Sequence, residues 1–161
     1  MVKSMQHKKT TPLRYLFDES FRQISPLGSH QFFIIVTALY LLTYKLHEFK
    51  TLILGLILIS AIAIPIRIVF YRQRPDKTGY HNLIEKVHAA SFPSLHSTRA
   101  TFLTLFLVIY FEKQLLVSLF IAAIGILVIY GRLYRKRHYP LDIIAGIILG
   151  TMVYAVTLIM L

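Results

Sequence analysis

Apolar and polar positions along this chain alternate in long blocks. Five apolar runs cover residues 31–46, 51–71, 93–111, 114–130 and 141–161. Segments of roughly 17–25 apolar residues are long enough to cross a bilayer as helices, and only the first run falls short of that length. Polar clusters break the blocks at 67–75 (RIVFYRQRP), at Pro93-Ser94-Leu95-His96 and at 132–142 (RLYRKRHYPLD). Each lies where an apolar run begins or ends. If the runs cross a membrane in alternation, all three clusters emerge on one face, and arginines, two histidines, a serine and an aspartate meet at one depth.

The pattern therefore predicts an all-α integral membrane bundle, with about five transmembrane helices forming one domain over 1–161. The links at 45–50 and 112–113 are short and demand tight helical hairpins. The longest loop, 72–92, is irregular at its start and weakly helical around 83–87. Residues 1–11 are polar. Residues 12–27 carry Leu13, Leu16, Phe17, Phe21 and Ile24 at helical spacing among Arg14, Asp18, Glu19 and Arg22. They read either as an amphipathic helix at the membrane interface or as a helix capping the bundle. The N-terminal segment 1–28 is thus set apart from the spans. No cleavable signal peptide is read, and the first run serves as an uncleaved insertion signal. Gly146 and Gly150, four residues apart in the last run, permit close helix approach, here within the bundle.

Composition agrees with that class. The chain is 56% hydrophobic and only 16% charged, unlike a soluble domain of its size. Its net charge of +11 would suggest nucleic acid in a soluble protein. Between membrane spans the nearer partners are anionic lipid headgroups, and no nucleic-acid partner is expected. Cysteine is absent, which removes disulfides and thiol chemistry.

The clusters carry candidate chemistry. Tyr139-Pro140 fits a helix start, and Asp142 falls in its first turn, where a carboxylate suits the helix dipole. Asp142 follows His138 by four residues, near enough to accept a hydrogen bond from one ring N–H. The other ring nitrogen is then free and basic, able to attack phosphorus. The plain alternative is a helix-start carboxylate beside an interfacial histidine. Ser91, Pro93, Ser94 and His96 open a span, whose unpaired first-turn N–H groups bind anions. His96 there can act as a general acid, or be an interfacial histidine behind an ordinary serine cap. Arg67 and Arg74 are seven residues apart, about two turns, hence on one face of a helix end. A guanidinium inside an apolar stretch, as at Arg67, has a functional role by default, against simple snorkelling to the headgroups.

Together, Arg67-x6-Arg74-Pro75, Pro93-Ser94-Leu95-His96 and Arg132-x5-His138-x3-Asp142 resemble the three-part signature of the type 2 phosphatidic acid phosphatases, a superfamily of membrane lipid phosphatases. The resemblance covers about half the chain. It departs at three places: the family usually has Lys at position 67, Gly at 95 and Ser at 131, where this chain has Arg67, Leu95 and Gly131.

The resemblance implies that His138 is the nucleophile forming a phosphohistidine, Asp142 orients it and His96 protonates the leaving group. It implies that Arg67, Arg74, Ser94, the Leu95 N–H and Arg132 bind the phosphate. No metal and no cofactor are implied, since arginines supply the positive charge. The expected partners are a lipid phosphate substrate and bilayer lipids. Phosphatidylglycerophosphate, undecaprenyl diphosphate and the 1-phosphate of lipid A are the candidates if the chain is bacterial. A lipid phosphotransferase on the same fold, an anion transporter and a haem-binding bundle are the competing classes. Excluding the motif arginines, twelve Lys and Arg fall on the catalytic face and N-terminus against three (Lys45, Lys50, Lys113) opposite. The positive-inside rule alone would put that face in the cytoplasm. Bacterial relatives commonly work outside the inner membrane, and anionic substrate itself selects for positive charge. The expectation is therefore an inner-membrane protein with a periplasmic site.

Overall fold

The structure, a computed structural model, describes residues 12–76 and 79–161. The polar segment 1–11, with Lys3, Lys8 and Lys9, and Lys77 in the long loop lie outside the described residues. The chain folds as α1 (Pro12–Ile24), a 3₁₀ turn (Ser25–Gly28), α2 (His30–Leu42), α3 (Leu46–Val69), α4 (Leu83–Ala89), α5 (Leu95–Tyr110), α6 (Leu115–Tyr134) and α7 (Pro140–Met160). Among the described residues there is no strand, only an isolated bridge between Gln73 and Ala90.

Five apolar helices stand where five apolar runs were read. Three of them, α3, α6 and α7, are long and apolar enough to cross a membrane. The α1–3₁₀ segment and α2 reach that measure only as a pair, bent by 52°, and α5 is an apolar helix of 16 residues. The hairpins are tight as expected. Tyr44, at φ 57°, turns the chain between α2 and α3. Ser118 donates to the carbonyls of Val108 and Phe111 and so fastens α6 to the end of α5.

Helix α5 forms the centre and packs most extensively against α7 and α6. Its Phe102, Leu103 and Phe106 are buried with Phe33, Leu52, Ile59 and Val153 in one apolar core. Glycines set the α5–α7 distance. A Cβ at Gly146 would lie 2.7 Å from the Ser94 carbonyl, and one at Gly150 would lie 2.5 Å from that of Thr98. Both glycines therefore serve packing inside the bundle, which brings the start of α7 beside the start of α5.

One local expectation is corrected. Arg67 and Arg74 do not share a helix face, because α3 ends at Val69 and Arg74 sits on the irregular segment that follows. Pro75 disfavours helical backbone at Arg74, and the neighbouring Gln73 pairs with Ala90 instead. The helical tendency read at 83–87 is real and longer, as α4. Asn82 caps it by accepting from the Glu85 N–H, and Glu85 returns a bond to the His81 N–H.

Both readings of the N-terminal helix have a physical basis. Phe21 is the buried residue of α1. Its ring packs on Tyr130 and Tyr134, with centroids 5.7 and 4.8 Å away. A Cβ at Gly131 would come within 3.0 Å of it, so Gly131 makes room for this cap. Leu13, Leu16 and Phe17 face outward, as an interfacial helix requires.

Candidate active site

The three clusters meet at one end of the bundle. The meeting is fixed by main-chain bonds: Ser94 N–H donates to the Asp142 carbonyl at 3.0 Å, and Ser91 N–H to that of Arg72 at 2.7 Å. The starts of α5 and α7 and the segment after α3 are thereby held together.

His138 and Asp142 are both buried there. The Nδ1 of His138 lies 2.9 Å from the Ser91 carbonyl oxygen. A carbonyl only accepts, so Nδ1 carries the hydrogen and Nε2 keeps its lone pair. The expected direct bond to Asp142 is replaced, since Asp142 Oδ2 is 3.9 Å from Nδ1. The reason is that Asp142 is already committed. Its Oδ2 accepts from the Ser91 hydroxyl and from the Tyr139 N–H at 2.9 Å, and Oδ1 accepts from Arg72 at 2.9 Å. Asp142 thus closes the first turn of α7 and places its charge near the imidazole without touching it. Burial pushes the His138 imidazole down to about 3, and the guanidiniums of Arg132, Arg74 and Arg67 push the same way. The ring is neutral at neutral pH and its Nε2 lone pair is available.

The arginines occupy distinct positions. Arg67 is almost fully buried; its Nε and Nη2 donate to the Pro93 carbonyl at 3.1 and 2.8 Å, and Nη1 donates to that of Val87. It braces the loop that leads into α5. Arg74 donates to the His88 carbonyl at 2.7 Å and, at a long 3.4 Å, to that of Ala90. Burial lowers its pKa from the ordinary value. Arg132 Nη1 donates to the Ser25 hydroxyl at 3.1 Å, while its Nε is buried and has no hydrogen-bond partner among the described residues.

Ser94 and Leu95 open α5. The Ser94 hydroxyl caps the helix by accepting from the Ser97 N–H and also lies 3.0 Å from the Ser97 hydroxyl. The Leu95 N–H is one of the unpaired groups of the first turn. The Leu95 side chain lines a lateral cleft between α2, α3, α4 and α5. His96 Nε2 is 2.6 Å from the Ser25 carbonyl oxygen, so this nitrogen carries a hydrogen and points it at an oxygen. All the residues expected at the site are therefore at this end of the bundle.

Three contributors lie outside the set of site residues that the sequence predicts. Ser91 stands in the sequence only among the polar residues that open a span, yet its carbonyl fixes the tautomer of His138. Arg72 lies in the first polar cluster outside the motif spacing, yet it pairs with Asp142 and stacks 4.2 Å over the Tyr139 ring. Ser25 comes from the α1–α2 joint, far away in sequence, and nothing in its local pattern points to the site. Among the described residues no group of three or more His, Asp or Glu could hold a metal ion.

Comparison with known proteins matches the PAP2 superfamily over residues 48–161. A stretch of 59 residues is 42% identical to the lipid A 4'-phosphatase of Bacteroides thetaiotaomicron; it covers 37% of this chain and 26% of that protein. The match thus spans about a quarter of that relative's length. Among solved structures, Aquifex aeolicus LpxE superposes with a TM-score of 0.73 at 23% identity, covering 93% of this chain and 88% of that one. The PAP2-type phosphatidylglycerolphosphate phosphatase of Bacillus subtilis gives 0.66 at 21% identity, covering 94% and 78%. At these identities the structural likeness is one of fold.

Proposed function

The chain belongs to the PAP2 superfamily, and from that footing we propose that it is a lipid phosphatase that works without a metal through a phosphohistidine. One observation carries the proposal: a buried, neutral His138 whose Nδ1–H is held by a carbonyl and whose Nε2 is left basic amid arginines. The His138 Nε2 forms a bond to phosphorus as the bond from phosphorus to the leaving oxygen breaks. Once the anionic phosphate is bound beside it, His96 is protonated on both ring nitrogens; it delivers its Nε2 proton to that oxygen, in the direction where it now meets the Ser25 carbonyl, and is left as neutral imidazole. Water then attacks the phosphohistidine, His96 takes its proton, and the nitrogen–phosphorus bond breaks to release phosphate. Arg74, Arg132, the Ser94 hydroxyl and the Leu95 N–H stabilise the charge on the five-coordinate transition state, usually the largest contribution in such catalysis. Arg67 adds its charge from behind while holding the loop.

The substrate is a phosphate monoester or diphosphate on a lipid, with lipid A 1-phosphate, phosphatidylglycerophosphate and undecaprenyl diphosphate as candidates. The membrane is the bacterial inner membrane, with the site on the periplasmic side. Purified protein should release phosphate from at least one of these lipids, resist EDTA, and be inhibited by vanadate, a five-coordinate mimic of the transition state. Activity lost with EDTA and restored by Mg²⁺ would contradict the mechanism. So would hydrolysis at the original rate by His138→Ala. A transporter using the same arginines would release no phosphate.

A further inference from the structure

Arg99 is a cation that the chemistry above leaves without a task. It follows His96 by three residues on α5, which puts both on one helix face. None of the ion pairs among the described residues includes it. Its recorded hydrogen bond is a long one, from Nε to the Gly28 carbonyl at 3.4 Å. A half-buried guanidinium within an apolar helix costs several kcal/mol unless it faces a polar partner or a ligand. Arg99 lines a cleft of ≈ 500 Å³ whose other polar walls include His30, Gln31, Ser60 and His88. The cleft adjoins the hollow that His96 lines with Ser25 and Ser29, because Gln31 lines both. His96 is the proton donor to the leaving oxygen, so its side of the phosphate pocket is the leaving-group side, and Arg99 lies one helical turn further along it.

We propose that Arg99, with His30 and Gln31, forms a second anion subsite that holds a phosphate carried by the leaving group. This rests on the phosphatase reading and narrows it to lipids whose departing fragment is itself phosphorylated. A lipid diphosphate offers that group directly at the leaving oxygen; a phosphatidylglycerophosphate offers it as a phosphodiester a few bonds away. The Arg99 fork suits two phosphate oxygens, and the neutral Gly28 carbonyl now beside it is the weaker acceptor it gives up.

The test compares kcat/KM of the purified full chain for farnesyl diphosphate, phosphatidylglycerophosphate and phosphatidic acid, whose leaving group is neutral. Arg99→Gln should lower the rate for one or both of the first two, relative to phosphatidic acid, by at least about tenfold, the loss expected of a charge-assisted bond. Arg99→Lys should recover part of it. A ratio that falls only for the diphosphate identifies an adjacent phosphate as the ligand; a ratio that falls only for the phosphodiester identifies the more distant one. An equal loss on all three substrates, or none, overturns the subsite. If Arg99→Gln does not fold, Gln31→Met should shift the ratio in the same direction. Calorimetric titration with inorganic pyrophosphate and orthophosphate separates this proposal from the catalytic one. Arg99→Gln should weaken pyrophosphate more than orthophosphate even if the wild type hydrolyses none of the lipids, and equal weakening would refute the subsite by itself.

Discussion

Replacing Asp142 by Asn separates an electrostatic from an orienting role for this carboxylate. In the structure Oδ2 accepts from the Ser91 hydroxyl and the Tyr139 N–H, while Oδ1 accepts from Arg72. An asparagine would keep its oxygen toward the two fixed donors and turn its NH₂ toward Arg72, whose side chain is 41% exposed and free to move into solvent. His138 would stay in place, because its own bond runs to the Ser91 carbonyl. What disappears is a negative charge 3.9 Å from Nδ1. Two unit charges at that separation interact by about 4 kcal/mol at an effective dielectric of about 20. Arg72 offsets part of this, leaving roughly 3 kcal/mol of support for the positive ring that forms during attack, on the order of a hundredfold in kcat. An aspartate that fixed the tautomer by direct contact would cost about ten-thousandfold instead. Phosphate release measured alongside nitrogen NMR of the imidazole distinguishes the two. The expected result is about a hundredfold loss with Nδ1 still protonated. A loss near ten-thousandfold with the hydrogen moved to Nε2 would refute the reasoning.

Three further outcomes follow from the same geometry. His96→Ala should slow hydrolysis of lipid phosphates by about 10²–10⁴-fold yet largely spare p-nitrophenyl phosphate, whose leaving group needs no proton; equal losses on both would remove His96 as the acid. The His138 imidazole, held down to about 3 in the folded protein, should show no protonation by NMR between pH 5 and 8, whereas a midpoint near 6.5 would contradict the burial argument. The linked stability is present above the ordinary histidine value near 6.5 and is lost as pH falls from there toward 3, because the unfolded chain takes up the proton first. His81→Cys, in the exposed loop of this cysteine-free chain, should react with a membrane-impermeant thiol reagent in intact spheroplasts; labelling only after lysis would place the site in the cytoplasm.

The helices and the convergence of the polar clusters were legible because both depend on side-chain pattern. Long apolar runs fix the helices, and short links force antiparallel neighbours, so cluster ends had to meet. The close approach of α5 and α7 was visible in Gly146 and Gly150 for the same reason. Illegible were the contacts made by main-chain oxygens. Every residue has a carbonyl, so nothing in the sequence marks Ser91 as the acceptor for His138 or Ser25 as the acceptor for His96. The placement of Arg74 off the helix is half visible in Pro75, which disfavours helix there, while the seven-residue spacing from Arg67 suggests one helix face.

Those main-chain acceptors also sort the cations by task. Arg67 holds two loop carbonyls through three N–H groups, at 2.8 and 3.1 Å to Pro93 and with a short bond to Val87. Giving those up would release the loop that presents Ser94 and Leu95, so Arg67 acts as frame and contributes charge rather than contact. Arg99 instead holds Gly28 at 3.4 Å, near the limit for a hydrogen bond, and Arg74 holds Ala90 at that same distance through Nε while its Nη2 holds His88 at 2.7 Å. Arg132 has a buried Nε with no partner among the described residues, and His96 aims its N–H at a peptide oxygen. In the proposed mechanism the charged oxygens of a phosphate would replace neutral acceptors at these positions with a net gain, since charge-assisted bonds are roughly twice as strong as neutral ones. On the proposed mechanism substrate binding is a substitution of acceptors around donors already in place. On that reading the carbonyls of Ser25 and Gly28 are the acceptors given up by His96 and Arg99.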